Sequence, residues 1–403
     1  MAKLWHKGYK LDSKVEKFTV GIDNILDQKL VKHDCTASVA YAKMLGQKGF
    51  LTEKETASII SELQSVAELA KKGKFRIKKS DEDCHTAIEN HLVQKLGDAG
   101  KKIHTGRSRN EQVLVALRLY YREELENCRA LSESLVAKID SFVEKSGDVL
   151  LPGYTHMQKA MPSSVGMWAE SFADSMEDNL SLIGSAAVLI DQCPLGTGAG
   201  YGSPIESDRE FLAEELGFLH PQENPIYCQN SRGKFESTIL HAISQIMADL
   251  NRIASDLLLF TTEEYGFFSL PENFLTGSSM MPHKMNPDVL ELLRAKYHVV
   301  LGLELQVKGL ASNLPSGYSR DLQLTKGAVM EAFEVAKECL GIAGLLFDGL
   351  RVNGEKCEGA ISEGMLSVQE SQNLVKKGIP FRDAYRQIAK NSAKNLKYDD
   401  LSN

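Results

Sequence analysis

Between Gly106 and Gly147 the chain carries neither glycine nor proline, and apolar residues recur at Leu114, Leu117, Tyr121, Leu125, Cys128, Leu131, Leu135, Ile139 and Phe142. Steps of three and four along the whole run put these side chains on one face of an α-helix. At about 1.5 Å per residue, a helix of about 40 residues reaches roughly 60 Å, about twice the width of a small domain. A second run, after Gly233 and before Gly266, repeats the spacing at Phe235, Ile239, Ile243, Ile246, Leu250, Ile253, Leu257 and Phe260. Apolar stripes of that length can be buried only against partners of similar length. Further helices are expected over residues 161–192, 287–311 and 322–350, which makes about five long ones in the middle of the chain. No alternating strand pattern of useful length, internal repeat or low-complexity tract interrupts them. The expected class is therefore all-α, built on a long central helical bundle. Neighbouring copies cover such stripes best, so the bundle is expected to continue across subunits.

Shorter helical patterns at 33–48, 51–72 and 82–97 mark residues 1–106 as an N-terminal helical domain. Residues 107–353 form the long-helix domain, with loop-like breaks at Leu195–Pro204 and Leu314–Asp321. Residues 354–403, with a helix stop and restart in KKGIPFRDAYRQI, read as a short C-terminal helical domain.

The charge balance, Lys+Arg 47 against Asp+Glu 54, gives a net charge of -7 and no bulk attraction to nucleic acid or an anionic membrane. An anionic ligand must therefore be captured by a local cluster. The seven cysteines, at 35, 84, 128, 193, 228, 339 and 357, form no CxxC pair and read as buried thiols in a reducing compartment. The start, MAKLWHKGYKLDSKVEKF, is too charged for an export signal, and no run of about 18 apolar residues occurs, so the cytoplasm is the expected location.

Residues 277–287, GSSMMPHKMNP, interrupt the helical pattern. Asn286, Pro287 and Asp288 make a good start for the next helix. Capping does not explain Gly277, Ser278, Ser279 and Lys284, a glycine-hinged loop with hydroxyls and a cation just before a helix N-terminus. Helix starts attract anions, so residue chemistry leaves an anion-binding loop and a plain linker both open. GTGAGYG (196–202) looks like a dinucleotide loop, but its third glycine misses the required offset and a helical stripe precedes it. HExxH, paired CxxC and P-loop patterns are all missing, so neither metal nor cofactor is expected.

GSSMMPHKMNPD is similar to the signature of the fumarase/aspartase superfamily, whose members release fumarate from a succinyl skeleton. HTGRSRNEQV (104–113), PGYTHMQKAMP (152–162), CPLGTGAGYGSPI (193–205) and PSGYSRDLQLTK (315–326) resemble argininosuccinate lyases rather than fumarases, aspartases or adenylosuccinate lyases. The likeness runs from DEDCHTA (81–87) to PFRDA (380–384). It implies an anti elimination that splits argininosuccinate into arginine and fumarate, in a homotetramer where three chains contribute to each site. Sister lyases acting on other succinyl substrates, and inactive crystallin-like homologues, share the same resemblance.

Such an elimination needs a base for a weakly acidic C–H, stabilisation of charge on the neighbouring carboxylate, and help for the leaving nitrogen. The resemblance implies Ser278 as the base, with Lys284 and backbone amides of the closed loop stabilising its ionised form. It implies His156 at the leaving group, with Glu291 orienting it. Thr155, Asn110, Lys284 and Asn286 correspond to positions around the succinyl carboxylates. Tyr318, Gln323 and Lys326 correspond to those holding the arginine half, Arg109 is a further site residue, and His85 stands behind. The chain departs from the family pattern at Gly21, where a serine is common, and at His283, Met285 and Glu111. It also stops at Asn403, leaving about 50 residues for the C-terminal domain.

Overall fold

The structure, a computed structural model, describes residues 11–395. Residues 1–10, part of the stretch read against an export signal, and the end of the C-terminal segment lie outside the described residues.

Five helices dominate: Arg109–Ser146, Val165–Ile190, Lys234–Phe260, Asp288–Ala311 and Thr325–Gly349. The first has 38 residues and the third 27, as their unbroken apolar stripes require. Within the first stripe every residue named above is buried except Leu131, which is half-buried. Burying each such side chain is worth about 1.5–3 kcal/mol. Shorter helices at Val31–Gln47, Glu53–Lys71 and Cys84–Leu96 match the N-terminal patterns. Thr52 and Glu55 close a capping box on the second of these, and Asp83 caps the third.

The chain divides into two compact units. The first comprises Met1–Ala130, Asn179–Met247 and His298–Lys337, and the second Leu131–Asp178, Ala248–Tyr297 and Glu338–Asn403. In the first, Leu117, Tyr121 and Leu125 are buried together with Ile239, Ile243 and Ile246. In the second, the core is aromatic: the Trp168 ring lies 5.0 Å from Phe268, and Phe142 lies 5.7 Å from Phe347. Contacts of this kind add about 0.5–1.5 kcal/mol each beyond burial.

The structure adds β-structure that periodicity does not reveal. Leu150–Thr155 and Gln158–Ser164 pair as an antiparallel hairpin, and three further two-stranded pieces are two residues long on each side. The hairpin trims the expected helix 161–192 to Val165–Ile190, because residues 161–164 lie in a strand. Two short helices, Arg209–Glu215 and Pro225–Asn230, occupy a region with no long stripe. All seven cysteines are buried and unpaired in disulfides. Among the described residues no helix is long and apolar enough to cross a membrane.

Candidate active site

In the first unit, the start of the longest helix is built by its own sequence. Ser108 precedes it, the Asn110 N–H donates to Ser108 Oγ at 3.2 Å, and Glu111 Oε1 accepts the Ser108 N–H at 2.8 Å. This reciprocal cap fixes Arg109 and Asn110 in the first turn. Glu111, fully buried, uses its other oxygen to accept the N–H groups of Gly196 at 2.7 Å and Gly198 at 2.9 Å. Burial holds its carboxyl above the usual range despite those bonds. The glycine-rich loop is thus an anion cradle, and the anion it holds is the chain's own Glu111. Gly198 sits at φ 64°, where a Cβ would lie 2.5 Å from the Gly202 carbonyl oxygen. The Ala199 carbonyl in that loop accepts from Asn110 Nδ2 at 3.3 Å, so Glu111 indirectly places Asn110.

Arg109, Asn110, Tyr318, Gln323, Lys326 and His85 line one cavity of about 440 Å³. Gln323 and Lys326 are not free surface groups. Lys326 is buried and paired with Asp27 and, at 3.0 Å, with Asp23; Gln323 Nε2 donates to Asp23. Burial alone would lower the Lys326 ammonium, but Asp27 and Asp23 hold it above its ordinary value. Arg109 meets Asp83 at 3.2 Å and Glu82 at 3.5 Å. Burial pushes the Asp83 carboxyl up, yet the charges of His85 and Arg109 and two bonds from Thr86 bring it below its usual value. His85, buried, is backed by Asp34 at 3.1 Å through Nδ1, and its Nε2 has no hydrogen-bond partner among the described residues. Burial would lower its pKa, and the Asp34 charge instead raises it.

Asp34, Cys84 and His85 have ligand-type atoms within 4.8 Å of one another. The buried Arg107 guanidinium, 3.9 Å from Asp34, supplies countercharge there, and burial pushes the Cys84 thiol well up. That chemistry suits an ion-pair cluster better than a cation site.

In the second unit, Ser278 begins a loop held by a small antiparallel pair, Thr276 opposite Asn286 and Gly277 opposite Met285. Its Oγ accepts the N–H groups of Met280 at 3.3 Å and Met281 at 3.1 Å. Two amide donors on one hydroxyl oxygen stabilise negative charge there. Lys284 is exposed and makes no ion pair among the described residues. Asn286 precedes the Asp288–Ala311 helix, whose first turn carries the exposed Glu291. Thr155 and His156 sit at the tip of the long hairpin, where Thr155 pairs with Gln158. The connecting residues His156 and Met157 have φ 52° and 59°, so a two-residue turn presents the imidazole to the exterior at a conformational cost of about 1–3 kcal/mol per residue. No hydrogen bond or ion pair joins His156 to Glu291 or to Ser278 among the described residues.

Sequence reasoning missed Asp23, Asp27, Glu82, Asp83 and Arg232, all of which line the cavity. The i, i+4 spacing of the two aspartates in DNILD was the available signal for the first pair. Gly21, where a serine was expected, closes the Ser13–Val20 helix at φ 57°.

A family profile described as lyase matches residues 9–302. An argininosuccinate lyase of Thermotoga neapolitana is 53% identical over 387 residues, covering 96% of this chain and 97% of that protein. Another, from Phocaeicola vulgatus, is 42% identical over 386 residues, covering 96% of this chain and 86% of that protein. The crystal structure of a recombinant class II fumarase from Schistosoma mansoni has the same fold, with a TM-score of 0.77 at 17% identity, over 93% of this chain and 91% of that one.

Proposed function

The chain belongs to the argininosuccinate lyase family, and from that premise we propose which of its residues carry the reaction and how copies of the chain assemble to do it. It is a carbon–nitrogen lyase that splits argininosuccinate into arginine and fumarate. Ser278, as alkoxide, removes the proton from the carbon next to a succinyl carboxylate. The two N–H groups on its Oγ support this reading, because a free serine hydroxyl is far too weak a base. Electron density then flows into that carboxylate, where Lys284, Asn286, Thr155 and Asn110 offer donors to the developing charge. Collapse breaks the C–N bond on the opposite face, and His156, oriented by Glu291, delivers a proton to the leaving guanidino nitrogen. Tyr318, Gln323, Lys326 and Arg109 hold the arginine half.

The enzyme works as a cytoplasmic homotetramer with three chains at each site. Leu292, Leu305, Met167 and Val188, 61–71% exposed on two long helices, support an assembly that covers them. The sequence segments 1–106, 107–353 and 354–403 are our proposal for its domain organisation.

Fumarate absorbance, followed with argininosuccinate, malate and adenylosuccinate in turn, tests the activity. Release from argininosuccinate is expected; release only from another substrate would overturn the specificity. Ser278→Ala should lower turnover by about 10³-fold or more while the oligomer stays intact. Unchanged turnover would remove Ser278 from the role of base.

A further inference from the structure

The flap that carries Ser278 is folded on itself. At its neck Thr276 pairs with Asn286 and Gly277 with Met285. Inside it, the Met280 and Met281 N–H groups donate to Ser278 Oγ, and the Lys284 N–H donates to the Met281 carbonyl at 3.0 Å. These bonds join the flap to itself. They fix its internal shape and leave open the angle at which it leaves the body of the unit. A neck of two residues on each side is too short to set that angle by itself.

A side-chain bond fastens the neck from outside. Thr276 Oγ1 donates to Asp288 Oδ2 at 2.5 Å, across a sequence separation of 12. A hydroxyl donating to a carboxylate at that distance makes one of the stronger hydrogen bonds open to a serine or threonine. Asp288 is half-buried and opens the Asp288–Ala311 helix. An aspartate in a first helical turn is ordinarily explained by the helix dipole. The dipole does not explain why this carboxylate is joined to Thr276, two residues before Ser278. Asp288 and Glu291 stand three apart, so they are neighbours on the helix surface. One helix turn therefore holds both the clamp on the flap and the carboxylate assigned to His156.

We propose that Asp288 is a positioning residue for the elimination: through Thr276 it sets the tilt of the Ser278 flap against the helix that bears Glu291. This rests on the reading of Ser278 as base and of Glu291 as the group that orients His156. In that reading a proton leaves one face of the substrate and another is delivered on the opposite face, so the base and the carboxylate must keep a fixed separation. A flap free to rock about its neck would keep its own bonds and lose that separation. Asp288 acts through Thr276 and not on the substrate.

Steady-state fumarate release and amide hydrogen exchange on the full-length enzyme provide the test. Thr276→Val removes the hydroxyl at nearly constant volume and leaves Asp288 on the helix dipole. Its kcat should fall by about tenfold, because a small misplacement of a reacting group is costly. KM should stay within about twofold, since Tyr318, Gln323 and Lys326, which hold the arginine half, are not part of the flap. Exchange over residues 277–286 should rise by about fivefold or more. Thr276→Ser keeps the bond and should hold kcat within about twofold of the parent, which also guards against a defect of folding. Thr276→Val added to Asp288→Ala should lower kcat no further than Asp288→Ala alone, as expected of partners in one bond. Parental kcat in Thr276→Val, losses that multiply in the double variant, or a Thr276→Ser as impaired as Thr276→Val overturns the proposal. Ser278→Ala separates the two readings: if it keeps parental turnover while Thr276→Val loses kcat at parental KM, the base assignment falls and the clamp stands.

Discussion

Replacing Glu111 with alanine should cost stability first and substrate affinity second. The carboxylate accepts from Ser108 at 2.8 Å, Gly196 at 2.7 Å and Gly198 at 2.9 Å, and is fully buried. Each buried donor left without an acceptor costs about 1–3 kcal/mol, which for these three would reach several kcal/mol. The charge is itself expensive to bury, as the raised carboxyl pKa shows, so the lower end applies and the net loss is about 3 kcal/mol. At about 2 °C per kcal/mol for a large chain, the melting temperature should drop by about 6 °C. The sign with pH follows from the same shift. A folded-state value above the unfolded one stabilises the parent as pH falls through that window, so the gap between parent and Glu111→Ala should widen between neutral pH and the ordinary carboxyl value of 4.5. Because the loop positions Asn110 through Ala199, the KM for argininosuccinate should rise in the folded fraction. Calorimetric melting at both pH values checks the first part and steady-state kinetics the second. A variant melting within about a degree of the parent would refute the cradle.

Two further outcomes follow from buried charge. Lys326→Met strands Asp27 and Asp23 without their cation and should cost about 3–5 kcal/mol in denaturant unfolding, less in acid as the carboxylates protonate; no loss would show that the pair contributes nothing. Burial holds both His33 and His104 down to about 4, so each folded-state value lies below 6.5 and stability should fall as pH drops from 6.5 toward 4, by up to about 3 kcal/mol per histidine. His104→Gln should flatten that slope, and a flat parent profile across the window would contradict it.

The long helices were legible because periodicity over dozens of residues averages out local noise, as in the stripe from Leu114 to Phe142. The hairpin was not legible. Its strands, LLPGYT and QKAMPSS, carry prolines, and its turn places His156 and Met157 in a left-handed conformation usually taken by Asn-Gly. Ser278 and Lys284 stood out through motif chemistry and family resemblance, since a loop sequence carries no periodic signal. Asp23, Asp27 and Arg232 were missed because they matter through pairing across separations of roughly 90–300 residues, which single-sequence spacing cannot reveal. Glu111 looked like a departure from pattern, and its reach to two separate backbone partners became apparent only in three dimensions.

Assembly of each site from several chains is tested most directly by mixing two inactive variants. Ser278→Ala and His156→Asn chains, unfolded together in equal amounts and refolded, form mixed oligomers. If a site takes Ser278 from one chain and His156 from another, random assembly makes about a quarter of sites whole, and about a quarter of parental fumarate release should return. Recovery indistinguishable from zero, with mixed oligomers verified by mass, would mean that both residues of a site come from the same chain and that the shared-site arrangement is wrong.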